Sequence, residues 1–108
     1  MSIDFQLSEH CTKERVDRLT FIMVKTGLGE IFCEYQRDEK TLYRITTTGV
    51  LLIIDPRWMV LVSAYYVNYE KAYAICCLCP NKNLKMGELR RVIRANEKLQ
   101  KEQDKVFF

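Results

Sequence analysis

Residues 41–66, TLYRITTTGVLLIIDPRWMVLVSAYY, decide the fold because they contain three β-type segments in succession. Val, Ile, Thr and Tyr dominate these segments, and such residues fit a pleated, half-buried surface. The segments are residues 42–47, 50–54 and 59–65. Thr48 and Gly49 form the first break, and Pro56 presets φ for a turn in the second break. The stretch therefore predicts a small antiparallel meander.

Further elements flank the meander on both sides. Residues 30–37 alternate as a first strand, residues 8–26 have the pattern of an amphipathic helix, and residues 84–105 that of a second. Residues 68–79 fit either a helix or a strand. We therefore predict an α+β fold, in which an N-terminal helix packs on a four-stranded antiparallel sheet and a C-terminal amphipathic helix follows.

Length and composition favour one globular domain of 108 residues, with residues 1–80 as its core and residues 81–108 as a basic helix. No apolar run approaches the roughly 20 residues that a membrane helix needs. The first ten residues have neither the basic flank nor the apolar centre of a signal peptide. These features predict a cytoplasmic protein with no membrane contact.

The five cysteines are an odd number without a secretory signal, which argues against a disulfide framework. Cys76, Cys77 and Cys79 form a cluster in which neighbouring cysteines are adjacent or one residue apart, and no second pair follows. A zinc knuckle needs pairs in which two thiolates converge on one ion. We interpret the cluster as reduced packing cysteines, and we predict neither a metal nor a cofactor.

Positive charge is concentrated in the last part of the chain. The formal net charge is +3, and residues 81–108 carry eight Lys and Arg against four Asp and Glu. Five cations recur at three- and four-residue steps, which could follow a phosphate backbone. These predicted RNA-binding residues are Arg91, Arg94, Lys98, Lys101 and Lys105. The alternative is an ordinary solvated helix face, since acidic residues are interleaved.

The other face of this helix has a second interpretation. Leu89, Val92, Asn96 and Leu99 form an apolar repeat with one polar member, as in two-stranded coiled coils. The repeat could pack on the sheet, or it could join two copies of the chain through residues 89–106. The sequence therefore allows a monomer or a homodimer.

Polar side chains on the predicted sheet form the first candidate site. Alternation places Arg44 and Thr46 on one face of their strand, and Ser63 and Tyr65 on one face of theirs together with Leu61. An arginine and several hydroxyls could hold a phosphate if these faces coincide. The sole histidine, His10, could move a proton near neutral pH. The alternative is a solvated sheet face and a surface histidine.

The order of these parts resembles the barnase–EndoU–colicin–RelE superfamily over residues 7–66. The resemblance lies in a histidine-bearing first helix, a Gly-Val-apolar strand from Gly49, an Asp-Pro turn, and a closing strand with Val62-Ser63-Ala64-Tyr65. It implies a metal-independent ribonuclease of the toxin type. By the same resemblance His10 would be the acid and base, Arg44 the phosphate clamp, and Ser63 and Tyr65 the hydroxyl donors, with Thr46 as an RNA contact.

Three hypotheses for the function follow. The first is a small RNase-like, toxin-like protein that binds RNA and cleaves it without metal, with an antitoxin-like protein as its partner. The second is a non-catalytic interaction module, of mobile-element or phage type, that binds nucleic acid or a protein. The third is a dimeric scaffold whose last helix supplies the interface.

Overall fold

The computed structural model describes residues 6–7, 13–80 and 84–107, with side chains described for residues 17–80 and 84–102. Its helices and strands, in chain order, are β1 (Gln6–Leu7), α1 (Lys13–Lys25), β2 (Ile31–Asp38), β3 (Thr41–Thr46), β4 (Val50–Asp55), β5 (Val60–Tyr66), α2 (Tyr69–Leu78) and α3 (Met86–Phe107). The predicted α+β class is confirmed.

The sheet has the strand order β1-β5-β4-β3-β2, in which β2 to β5 form the predicted antiparallel meander. The strand β1 pairs parallel to β5, with Gln6 opposite Val60 and Leu7 opposite Leu61. The sequence did not predict β1, because two residues are too few to show an alternating pattern. The strand β2 lies at the opposite edge of the sheet.

Helices cover the sheet on both faces, which explains why β4 is apolar from Val50 to Ile54. Val50, Leu52 and Ile54 pack with Leu19 and Ile22 of α1 in one core. Leu51, on the opposite face of β4, belongs to a second core with residues of α2 and the first half of α3. A strand buried on both faces loses the polar alternation of a half-exposed strand, as the sequence indicated.

The ambiguous stretch after β5 is a helix. Asn68 caps α2, since its side-chain oxygen accepts a hydrogen bond from the Lys71 backbone N at 2.8 Å. Its buried residues are Ala72, Ile75 and Cys76, at positions i, i+3 and i+4, which lie on one face of a helix. The sequence pattern was ambiguous because apolar residues lie on all sides of this helix, and tertiary packing on β2 decides its conformation.

Helix α3 passes the end of the sheet where β3 turns into β4. Leu89 and Ile93 pack in the core on the α2 side, whereas Leu99 packs against the core on the α1 side. Between them, Asn96 is 4% exposed, and its Nδ2 donates to the Thr48 carbonyl at 2.7 Å. The polar member of the repeat is thus bonded to the chain's own turn.

This packing corrects the coiled-coil interpretation. Leu89 and Asn96 are buried within their own fold, and Val92 and Leu99 are partly buried. A dimer formed through this repeat would have to remove α3 from the sheet. These four residues therefore serve the fold of the chain, and they do not offer a free surface to the homodimer that was predicted through residues 89–106.

Candidate functional site

The register of the sheet separates the polar residues that the sequence placed in one site. Arg44 lies opposite Leu52, which lies opposite Ala64, so that Arg44 is on the face covered by α1. Ser63 lies opposite Ile53, and Tyr65 lies opposite Leu51, both of which face the α2 side. Cross-strand partners share a face of a sheet. Arg44 and Thr46 are therefore on the opposite face from Ser63 and Tyr65.

An irregularity in β5 also changes which of its residues share a face. Ile54 pairs with Leu61 and Ile53 pairs with Ser63, so Val62 is the extra residue of a bulge. As a result, Leu61 packs in the core on the α1 side, whereas Ser63 belongs to the other face. The prediction that Leu61 shares a face with Ser63 and Tyr65 is wrong, because strict alternation does not hold across a bulge.

Two of these polar side chains are engaged inside the fold. Thr46 is 2% exposed, and its Oγ1 accepts a hydrogen bond from the Val50 backbone N at 3.2 Å. Its hydroxyl also bonds to the Thr48 hydroxyl at 2.9 Å, so that it holds the β3–β4 turn and does not reach a ligand. The Tyr65 hydroxyl accepts a hydrogen bond from the Lys71 Nζ at 2.8 Å.

Arg44 is partly buried and pairs with Glu34. Its side chain is 19% exposed, and its terminal nitrogen Nη2 donates to the Glu34 carboxylate at 3.4 Å across the β2–β3 pair. The buried Nε has no hydrogen-bond partner among the described residues. Because this Nε is buried, an anion on the α1 side of the sheet could contact Arg44 only at the accessible part of its guanidinium. His10, its predicted catalytic partner, lies outside the described residues.

The predicted basic stripe is on the surface. Arg91, Arg94, Lys98 and Lys101 are all exposed, on the side of α3 opposite Leu89, Ile93 and Asn96. Lys105 continues the repeat, and its side chain lies outside those described. We call these residues the α3 stripe. At a rise of about 1.5 Å per residue, the stretch from Arg91 to Lys101 is about 15 Å long.

The acidic residues beside the α3 stripe do not form ion pairs with its four described cations. Glu97 and Glu102 flank the stripe on its two sides, yet none of the four described cations forms an ion pair within residues 17–80 and 84–102. Exposed cations that are not committed to internal pairs are available to an external anion.

A groove of about 310 Å³ adjoins the stripe, between the start of α2 and the middle of α3. Its polar and aromatic lining consists of Asn68, Tyr69, Glu70, Arg90, Arg94, Glu97 and Gln100. The Arg90 guanidinium lies 5.1 Å from the centre of the Tyr69 ring, within the range of a cation–π contact. Arg94 belongs to both the groove and the stripe. Sequence reasoning missed this groove because residues 68–79 had no assigned structure.

A second exposed surface lies at the other end of the sheet. Trp58, on the β4–β5 turn, is 71% exposed. The turn is held by Arg57, which donates from Nε and Nη2 to the two Asp55 carboxylate oxygens at 3.1 and 2.8 Å. These hydrogen bonds hold the pKa of Asp55 below its usual value. Met59 has a φ of 49°, in the left-handed region. The α3 stripe and Trp58 are thus separate surfaces.

Three of the cysteines meet between β2 and α2. The Cys33 and Cys76 sulfurs are 2.9 Å apart, and Cys79 Sγ donates to the Glu34 carbonyl at 3.1 Å. All three side chains are buried, whereas Cys77 is exposed. Sequence reasoning considered only the spacing between successive cysteines of the cluster. It therefore missed that Cys76 and Cys79 are spaced C-x2-C at the end of one helix.

The surroundings of these three thiols shift their pKa values in different directions. The hydrogen bond from Cys33 lowers the pKa of Cys76 below the ordinary thiol value, against the effect of burial. The same bond, together with burial, raises the pKa of Cys33, and burial raises the pKa of Cys79. Among the described residues, no group of three or more His, Cys, Asp or Glu side chains is arranged to hold a metal ion.

The chain matches no protein-family model, no curated protein and no solved structure. None of the described helices combines the length and the apolar character that crossing a membrane requires. The function must therefore be argued from the surfaces themselves.

Proposed function

We propose that this protein binds single-stranded RNA along the α3 stripe. The observation that carries the proposal is the row of four exposed cations, Arg91, Arg94, Lys98 and Lys101, which form no ion pair with any side chain that the structure describes. Successive cations are three or four residues apart, which corresponds to about 5 Å along the helix axis. Each contact with a phosphate releases counterions and adds affinity.

The adjoining groove favours a single strand over a duplex. Proteins that bind single strands combine a positive track for the backbone with aromatic or arginine planes on which bases stack. Here Tyr69 and Arg90 provide such planes directly beside Arg94 of the stripe. A base turned away from the phosphates could enter this groove only if it were unpaired.

We also propose a cytoplasmic location, which is supported by the free thiols of the four described cysteines.

The proposal is tested by the salt dependence of binding. We expect the wild-type protein to bind a fluorescently labelled, mixed-sequence RNA 20-mer, measured by anisotropy from low to moderate salt. Four phosphate contacts predict a slope of about −3 for log K against log salt, since each contact contributes about −0.7 on a single strand. A perfect RNA duplex of the same length should bind more weakly. A salt-independent affinity, or tighter binding of the duplex, would contradict the proposal.

Cleavage of the bound RNA is a second candidate function, favoured by one observation. The Arg44 guanidinium is partly exposed and forms one described ion pair, with Glu34 at 3.4 Å, and such a side chain could clamp a phosphate. If the protein cleaves RNA in the presence of EDTA, we expect Arg44→Ala and His10→Ala to abolish cleavage. RNA that stays intact with wild-type protein would leave binding as the function, and equal cleavage by all three proteins would point to a contaminant.

A further inference from the structure

The cysteines between β2 and α2 have no part in the proposed RNA-binding surface. Cys33 comes from an edge strand and Cys76 from a helix on the α2 side of the sheet, and 43 positions separate them in the chain. Their sulfurs are 2.9 Å apart, whereas a disulfide bond is about 2.05 Å long. A closer approach of about 0.9 Å would thus convert their contact into a covalent bond.

We propose that Cys33 and Cys76 are a redox-active pair, which hydrogen peroxide converts into a reversible disulfide between β2 and α2. The Cys76 thiolate attacks one peroxide oxygen, which gives a sulfenic acid and releases hydroxide. The Cys33 sulfur then attacks the Cys76 sulfur, losing its proton and expelling the sulfenic oxygen as water. Two thiols and one peroxide thus give one disulfide and two waters, and an external dithiol restores both thiols.

The surroundings select this pair from the other cysteines. Cys76 and Cys33 are 7% and 5% exposed, which admits a molecule of the size of peroxide more readily than a bulky disulfide reagent. Hydrogen bonding from Cys33 supports the thiolate of Cys76 as the attacking sulfur. Cys79 directs its S–H to the backbone carbonyls of Glu34 and Ile75, at 3.1 and 3.4 Å. Cys77 faces solvent, away from the pair.

The disulfide has a definite structural consequence. It would tie the edge strand β2 to the helix that packs on it, and so close a loop that includes β3, β4 and β5. Such a bond restricts the unfolded chain. We therefore expect the thermal midpoint of the oxidised protein to rise by about 10 °C over the reduced protein, in the absence of any RNA.

Peptide mapping tests the proposal directly. Fully reduced wild-type protein is treated with hydrogen peroxide, its remaining thiols are alkylated in denaturant, and it is digested with trypsin without reduction. We expect residues 26–37, which contain Cys33, to be linked to residues 72–82, which contain Cys76, Cys77 and Cys79. Fragmentation should place the bond on Cys76. Reduction should separate the two peptides and return the thermal midpoint to its starting value.

Three variants sharpen the test. Cys77→Ala and Cys79→Ala should keep the Cys33–Cys76 bond, whereas Cys76→Ala should lose it while circular dichroism reports the same fold. If Cys76→Ala does not fold, the peptide map of the oxidised wild-type protein, which locates the bond, is sufficient to test the proposal. The proposal is overturned by a bond that joins Cys33 or Cys76 to Cys79, Cys77 or Cys11, by bonds only between two molecules, or by free Cys33 and Cys76 after methionine has been oxidised.

Discussion

Gly49→Ala is expected to lower the free energy of unfolding by about 2–4 kcal/mol, through left-handed backbone strain and overpacking together. Gly49 has a φ of +78°, which L-amino acids with a side chain rarely adopt. An added Cβ would lie 2.7 Å from Asn96 Nδ2 and 3.3 Å from Val92 Cγ1. The turn and α3 would have to separate, and the hydrogen bond from Asn96 to Thr48 would weaken with them.

Gly87→Ala is the matched control for this prediction. Gly87 lies in the first turn of α3, and among the described residues no atom outside its chain neighbours and its own helix backbone is within 4 Å of the position of an added Cβ. Alanine there should leave stability unchanged or raise it by up to about 1 kcal/mol, because it favours the helix. Urea unfolding followed by circular dichroism compares both variants with the wild type. Equal midpoints for Gly49→Ala and the wild type would show that α3 does not pack closely on the turn.

Neutralising the centre of the α3 stripe should have the largest effect on RNA binding. Replacing Arg94, Lys98 and Lys101 together by glutamine removes three of the proposed phosphate contacts. We expect affinity for single-stranded RNA at low salt to fall on the order of a hundredfold, and the salt slope to flatten by about 2. All three side chains are exposed, so stability should change little.

A charge-matched control separates a local surface from overall charge. Replacing Lys25, Lys40 and Lys85 by glutamine also lowers the formal net charge from +3 to zero, and these three residues are exposed outside the stripe. We expect this variant to keep most of the affinity and the slope of the wild type. Equal losses in the two triple variants would mean that binding depends on net charge, and not on α3.

The sequence predicts the meander well because its strands are short runs of β-branched and aromatic residues between strong turn signals. It also predicts the outer face of α3, since charged and apolar positions there follow one helical period. Helix α2 could not be assigned, because apolar residues such as Tyr73 and Leu78 lie outside the buried face of Ala72, Ile75 and Cys76 and obscure the helical period. What decides it is the packing on β2, which no local pattern contains.

The predicted sheet site depended on register, and register is where sequence reasoning is weakest. Arg44 and Ser63 each occupy the alternating position that their own strand predicts, yet the pairing through β4 places them on opposite faces. The bulge at Val62 also changes the sheet face on which the preceding residues of β5 lie, and no residue type in the sequence indicates this bulge. The contact between Cys33 and Cys76 likewise joins two distant segments. The only part of this arrangement that the sequence shows is the C-x2-C spacing of Cys76 and Cys79.

The most direct test of RNA binding by α3 is a ¹H–¹⁵N NMR titration of the labelled protein with the single-stranded RNA 20-mer. We predict that the largest chemical-shift changes fall on residues 90–102 of α3 and on Asn68 to Glu70 at the start of α2, with the side-chain resonances of Arg90 and Arg94 among them. Changes centred on Trp58 and its turn, or on Arg44 and Glu34, would contradict the assignment of the binding surface to α3.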